Sequence, residues 1–168
     1  MRIAVIMQRT RLVNRWIDER WEPVAVEVRE EGAGVTRLPD SEAGERWRFD
    51  GCEIELHRVE AEGYYLNLSA PDPRVFIMWR MLEPEALTPG GPAAAPFVVT
   101  VSYNEAARML DGGEQVDSVA LPVEVHNWVA PFAREHYKPE PKRKVRRRDP
   151  LADDARGSEP GDHRRRKP

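Results

Sequence analysis

The residue types most often recruited for acid–base and nucleophilic chemistry are sparse in this 168-residue chain: four histidines and one cysteine. His57 falls on the polar face of an expected strand, His126 and His136 on an expected helix, and His163 near the C-terminus. None has a partner at motif spacing. Joining His126 and His136 with Glu124 or Glu135 around one metal would fail on distance, because ten helical residues span about 15 Å. Cys52, at the start of an expected strand, reads as a small core or edge residue, and a lone cysteine excludes an internal disulfide and any two-thiolate site. Gly32-Ala33-Gly34 and Gly90-Gly91 neither open a helix nor precede a Lys-Ser or Lys-Thr pair, so they are read as loop glycines and not phosphate cradles. No residue is assigned to catalysis, to a cofactor or to a metal, and the expectation is a binding protein and not an enzyme.

Recognition chemistry has better candidates. Trp16 and Trp21 bracket the charged stretch Asp18-Glu19-Arg20 and are read either as a packed corner or as an exposed recognition edge. Two basic clusters follow near the C-terminus: Lys142, Arg143 and Lys144 with Arg146, Arg147 and Arg148, then Arg164 to Lys167. Such runs neutralise phosphates without reading sequence, which would suit nucleic acid. They engage an acidic protein surface equally well, or simply remain solvated.

The elements that must carry these residues read as an α+β domain, mainly antiparallel sheet, over residues 1–137. Arg2 to Val13 has an apolar strand core at Ile3, Val5 and Ile6, and Val24 to Val28 alternate with period two. Glu30 to Gly44, with three glycines and a proline, is expected to be a loop. Cys52 to His57 and Tyr64 to Leu68 alternate on either side of Glu60-Ala61-Glu62-Gly63, which predicts a hairpin. Val75 to Leu82, apolar on both faces, predicts a central strand. Glu83 to Pro96, with four prolines and two glycines, reads as a connection, and Phe97 to Val101 as a further strand. Ser102 stands three residues before Glu105 and Gly112-Gly113 follow, so a capped helix is predicted over Tyr103 to Asp111. From Pro122 onward, Val125, Trp128, Val129 and Phe132 form one helical stripe, which Pro131 should kink or divide into two short helices.

Charge separates the two ends. Residues 138–168 hold 12 Lys or Arg against 6 Asp or Glu, leaving 14 basic and 23 acidic residues of the chain's 26 and 29 to the first 137. An acidic body thus precedes a basic tail whose prolines, like-charge runs and scarcity of aromatic residues predict disorder. No apolar run approaches the ~20 residues of a membrane span and no secretory signal pattern opens the chain, so a cytoplasmic address is expected.

Several strings carry a family resemblance: Val5-Ile6-Met7-Gln8-Arg9, the Trp16 and Trp21 pair before Pro23-Val24-Ala25-Val26, and Glu55-Leu56-His57-Arg58 with Gly63-Tyr64-Tyr65-Leu66-Asn67-Leu68. To these are added Pro73-Arg74-Val75-Phe76-Ile77, Val99-Thr100-Val101-Ser102-Tyr103-Asn104-Glu105-Ala106, Val116-Asp117-Ser118-Val119 and Lys142-Arg143-Lys144. Over roughly residues 2–148 the chain resembles a bacterial family, domain of unknown function 3305. Genes of that family lie beside formate dehydrogenase subunits and a TorD-like chaperone. The resemblance therefore implies an accessory of that molybdenum enzyme, with an enzyme subunit or its chaperone as partner, and it transfers no active site.

Overall fold

The computed structural model describes residues 1–12 and 18–138, and its first element already shows why a sheet forms. β1 (Arg2–Arg11) buries five consecutive apolar residues, Ile3 to Met7, on both its faces. A central strand covered on both faces suits that pattern. β2 (Glu19–Val28) pairs with one edge of β1 and β4 (Glu45–Glu53) with the other, both antiparallel. Trp21, expected to close a turn, lies inside β2, and the strand continues through Pro23. Pro23 is tolerated because β2 is an edge strand and a bulge between Ile6 and Met7 passes over Val24.

The stretch expected to be a loop contains β3 (Gly34–Leu38), a five-residue strand paired with β4 (Glu45–Glu53). Short, exposed and bounded by glycine, β3 carries too little apolar alternation to be read from sequence. β4 bulges at Gly51, whose φ of +87° is a backbone shape that favours glycine. The strand order of this first sheet is β2-β1-β4-β3.

The expected hairpin is corrected. β4 ends at Glu53, residues 58–60 form a 3-10 turn, and the supposed second strand is a helix, α1 (Ala61–Leu68). Ala61, Tyr64 and Asn67 are buried at three-residue spacing while Glu62, Tyr65 and Leu66 face out. The apparent alternation of Tyr64, Leu66 and Leu68 misled because the buried residue between them, Asn67, is polar.

β5 (Arg74–Met81) is the central strand of a second sheet, between β6 (Ala94–Thr100) and β7 (Val116–Ala120), as its two-faced apolar pattern predicts. β6 spans Ala94–Thr100, beginning three residues earlier than expected; Pro96 sits in it at a bulge on an edge, the same solution as in β2. α2 (Tyr103–Asp111) has the predicted bounds, and β7 (Val116–Ala120), which no sequence signal announced, pairs with the other side of β5.

α3 (Val123–His136) is a single helix running through Pro131, and not the two short helices anticipated. Pro131 and Asn127, whose carbonyl loses its amide partner there, are both solvent-exposed, so water replaces the missing hydrogen bond at little cost.

The fold is therefore α+β, mainly antiparallel sheet, with residues Met1–Lys138 forming one unit. The first sheet turns Ile3, Val5, Met7, Trp47 and Phe49 toward Val75, Ile77, Trp79 and Val99 of the second, and Val125, Val129 and Ala133 of α3 join the same core. Each Val, Ile, Met or Phe among them contributes about 1.5–3 kcal/mol on leaving water. No helix among the described residues is long and apolar enough to cross a membrane.

Candidate functional site

Trp21 is buried in β2 with its ring 5.0 Å from that of Trp47, and its indole N–H donates to Glu19 Oε1 at 3.0 Å. The Arg9 guanidinium lies about 6 Å from both rings and bonds Glu45 and Glu19, while that of Arg37 lies 4.5 Å over Trp47. Cation–π contact and ion pairing thus close this corner of the core. The hydrogen bond from Arg9 holds the Glu45 carboxyl below its ordinary value, against a smaller opposing effect of burial. Of the two readings of Trp21, the structure displays the packed corner. Trp16 and the cluster Lys142, Arg143, Lys144, Arg146, Arg147 and Arg148 lie outside the described residues.

The titratable candidates are dispersed. His57 is exposed, 3.6 Å from Glu55, and His136 packs edge-on to Phe132 on α3. Cys52 is partly buried with Sγ 3.7 Å from the Phe49 carbonyl, and burial pushes its thiol above the ordinary value. Among the described residues no group of three His, Cys, Asp or Glu side chains is placed to hold a metal ion.

A buried polar node was not legible in the sequence, except for the Ser102–Glu105 spacing that touches it. Ser102, fully buried at the N-cap of α2, accepts from the Glu105 amide and donates to Glu60 Oε2 at 2.6 Å. Glu60 also holds Arg108 of α2. Burial would raise the Glu60 carboxyl, but the Ser102 hydroxyl, the Arg108 guanidinium and the charge of His57 together hold it below the usual carboxylate range. The reciprocal half of the expected capping box is rerouted: the Glu105 carboxylate takes the Thr100 hydroxyl, and Thr100 Oγ1 accepts from the Ser102 amide. Asn67 completes the node, donating to the carbonyls of Arg74 and Val101 and accepting from the Arg74 amide. Ser102, Thr100 and Asn67, all buried, direct their hydrogen bonds inside the protein, so the node fixes α1 and α2 on the second sheet.

What that fixation presents outward is mainly apolar, interrupted by Asp72, Arg74, Asp117 and Ser118. Leu66 and Ala70 from the α1 end, Phe76 from β5 and Tyr103 from α2 line a hollow of about 390 Å3, and Phe76 and Tyr103 also line a second of about 250 Å3 reaching Ala107 and Leu110. The Phe76 and Tyr103 rings meet edge-to-face at 6.2 Å. Leu66, Tyr103 and Leu110 are each about half exposed, at 45%, 56% and 54%. On a chain in which a third of the residues are charged, a mainly apolar strip is the feature that asks for an explanation.

The family model described as Protein of unknown function (DUF3305) matches residues 2–146. The chain belongs to this family. No curated protein and no solved structure matches it. The DUF3305 match includes both sheets, all three helices, the buried node, the apolar strip and the basic run Lys142-Arg143-Lys144, and it stops before the second basic cluster.

Proposed function

We propose that this protein is a non-catalytic accessory that binds a subunit of a molybdenum-dependent formate dehydrogenase, or the chaperone of that enzyme, during assembly or maturation. The observation that carries the binding role is the strip of Leu66, Phe76, Tyr103 and Leu110, because soluble monomers rarely leave joined apolar hollows uncovered unless something sits on them. The process comes from the resemblance of the family's gene neighbourhoods. Aromatic residues at the centre of such a surface supply most of the binding energy, about 2 kcal/mol or more when truncated, so Tyr103 is the residue to change first.

The test is affinity capture of the tagged full chain from cells making formate dehydrogenase. The wild type should recover the large subunit or its chaperone, and the Leu66→Ser/Tyr103→Ser chain should lose it. If neither protein is recovered and a deletion strain retains normal formate dehydrogenase activity, the reading is wrong.

A further inference from the structure

A second groove, between β4 and β6, has the opposite chemistry on its rim. It holds about 530 Å3, within the ~300–1,000 Å3 of ligand clefts, over a floor that includes Val35, Phe49 and Val99, with half-exposed Phe97 on one wall. Past Glu53, Phe97 and Val99 it continues into a hollow of about 190 Å3 bounded by Glu55, His57 and Glu105. Among the described residues, none that lines either space is Lys or Arg.

Nearby cations are already paired, two of them with Asp50 of the groove itself. Arg29 and Arg48 pair with Asp50, Arg80 lies over Phe97 but is held by Glu114, and the Met1 ammonium bonds the Ile54 carbonyl. Among the described residues, the Glu53 carboxylate has a 3.7 Å contact with exposed Arg2 as its one ion pair, and that of Glu55 has His57. Ile54 is fully buried and Leu56 packs on the core, so burial alternates past the end of β4 and Glu53, Glu55 and His57 are left exposed at every second position. Two carboxylates so placed repeat at about 6.6–6.8 Å, the i, i+2 spacing of side chains on one face of any extended chain.

We propose that this groove docks an extended polypeptide segment of another protein, with Lys or Arg at alternate positions facing Glu53 and Glu55 and apolar residues between them resting on Phe97 and Val99. Apolar contact supplies affinity, and the carboxylates supply register and selection against acidic segments. A partner segment of this kind is distinct from whatever covers the Tyr103 strip, and the proposal stands whichever process the protein serves.

The experiment uses the full chain and a labelled hexapeptide of alternating Lys and Val, followed by fluorescence anisotropy. The wild type should bind it, a peptide of alternating Glu and Val should not bind, and Glu53→Lys/Glu55→Lys should weaken binding at least tenfold. The double change Glu62→Lys/Glu124→Lys alters net charge equally on exposed helix positions away from the groove and should leave affinity within twofold. Glu53→Gln/Glu55→Gln gives the same loss without charge reversal, should reversal disturb folding. Equal weakening by the groove and control pairs, or no weakening by either, would overturn the proposal. Capture of formate dehydrogenase through the Tyr103 strip is read separately and is unaffected by these changes.

Discussion

A β-carbon placed on Gly63 would lie 2.2 Å from the hydroxyl oxygen of Ser102 and 3.1 Å from the Asn104 amide. The two residues are 39 positions apart, and this approach is what lets α1 cross the start of α2. Ser102 cannot swing aside, because its hydroxyl is held between the Glu60 carboxylate and the Glu105 amide. In an exposed helix Gly→Ala would gain up to about 1 kcal/mol. Here overlap with a fixed, buried group outweighs it, and Gly63→Ala should lower stability by about 2 kcal/mol or more, read as a urea midpoint. An unchanged or higher midpoint would show that the helices separate easily.

Glu60 should make folding sensitive to acid. Its carboxyl is held below the ordinary value in the folded protein, so its contribution is complete above the unfolded value of ~4.3 and is lost as pH falls through the lower, folded one. Glu60→Gln should be less stable than the wild type at pH 7 and lose less stability than the wild type between pH 5 and pH 3. Parallel losses in both proteins would remove Glu60 from the account. Ser102→Ala, which leaves that carboxylate and the Glu105 amide short of a partner, should cost about 2–4 kcal/mol at pH 7.

Asn67 uses both ends of its amide to tie the exit of α1 to β5 and to Val101. Asn67→Ala strands two carbonyls and one amide in a buried setting, a loss of about 2–4 kcal/mol by equilibrium unfolding. Asn67→Asp should be no better, since a carboxylate would face the carbonyl oxygens of Arg74 and Val101. Rescue by aspartate would mean that the amide group donates nothing essential.

The Cys52 thiol should be a poor nucleophile at neutral pH. Burial raises it, the Asp50 charge adds to that, and a hydrogen bond with the Val5 backbone only partly opposes them. Reaction with an aromatic disulfide reagent at pH 7 should run roughly tenfold or more slower than with free cysteine, and urea should restore the ordinary rate. A fast reaction in the folded state would contradict the burial seen here.

Where one physical signal dominated, sequence and structure agree. The two-faced apolar run at Val75 to Trp79 could only be a covered strand, and Ser102, Glu105 and Gly112-Gly113 bounded α2 without help from tertiary structure. α1 was misread because its burial depends on Asn67, a polar residue whose partners lie in β5 and before α2, distant in sequence. β3 and β7 are held by pairing with β4 and β5, and their own five residues carry little local preference. Neither outward surface was legible. The Tyr103 strip gathers residues from α1, β5 and α2, and the Glu53 groove residues from β3, β4 and β6, so each exists only once the sheets have packed.

Pro23 and Pro96 interrupt the two longest border strands, β2 and β6, each at a bulge, while the remaining borders, β3 and β7, are five residues long. Among the described residues, no border strand therefore offers a long unbroken row of amides for a neighbouring copy to zip onto. Crowded at high concentration, the chain is guarded against stacking into fibrils by two imino acids, and a version with Thr at both places would keep its apolar pattern yet forfeit that guard.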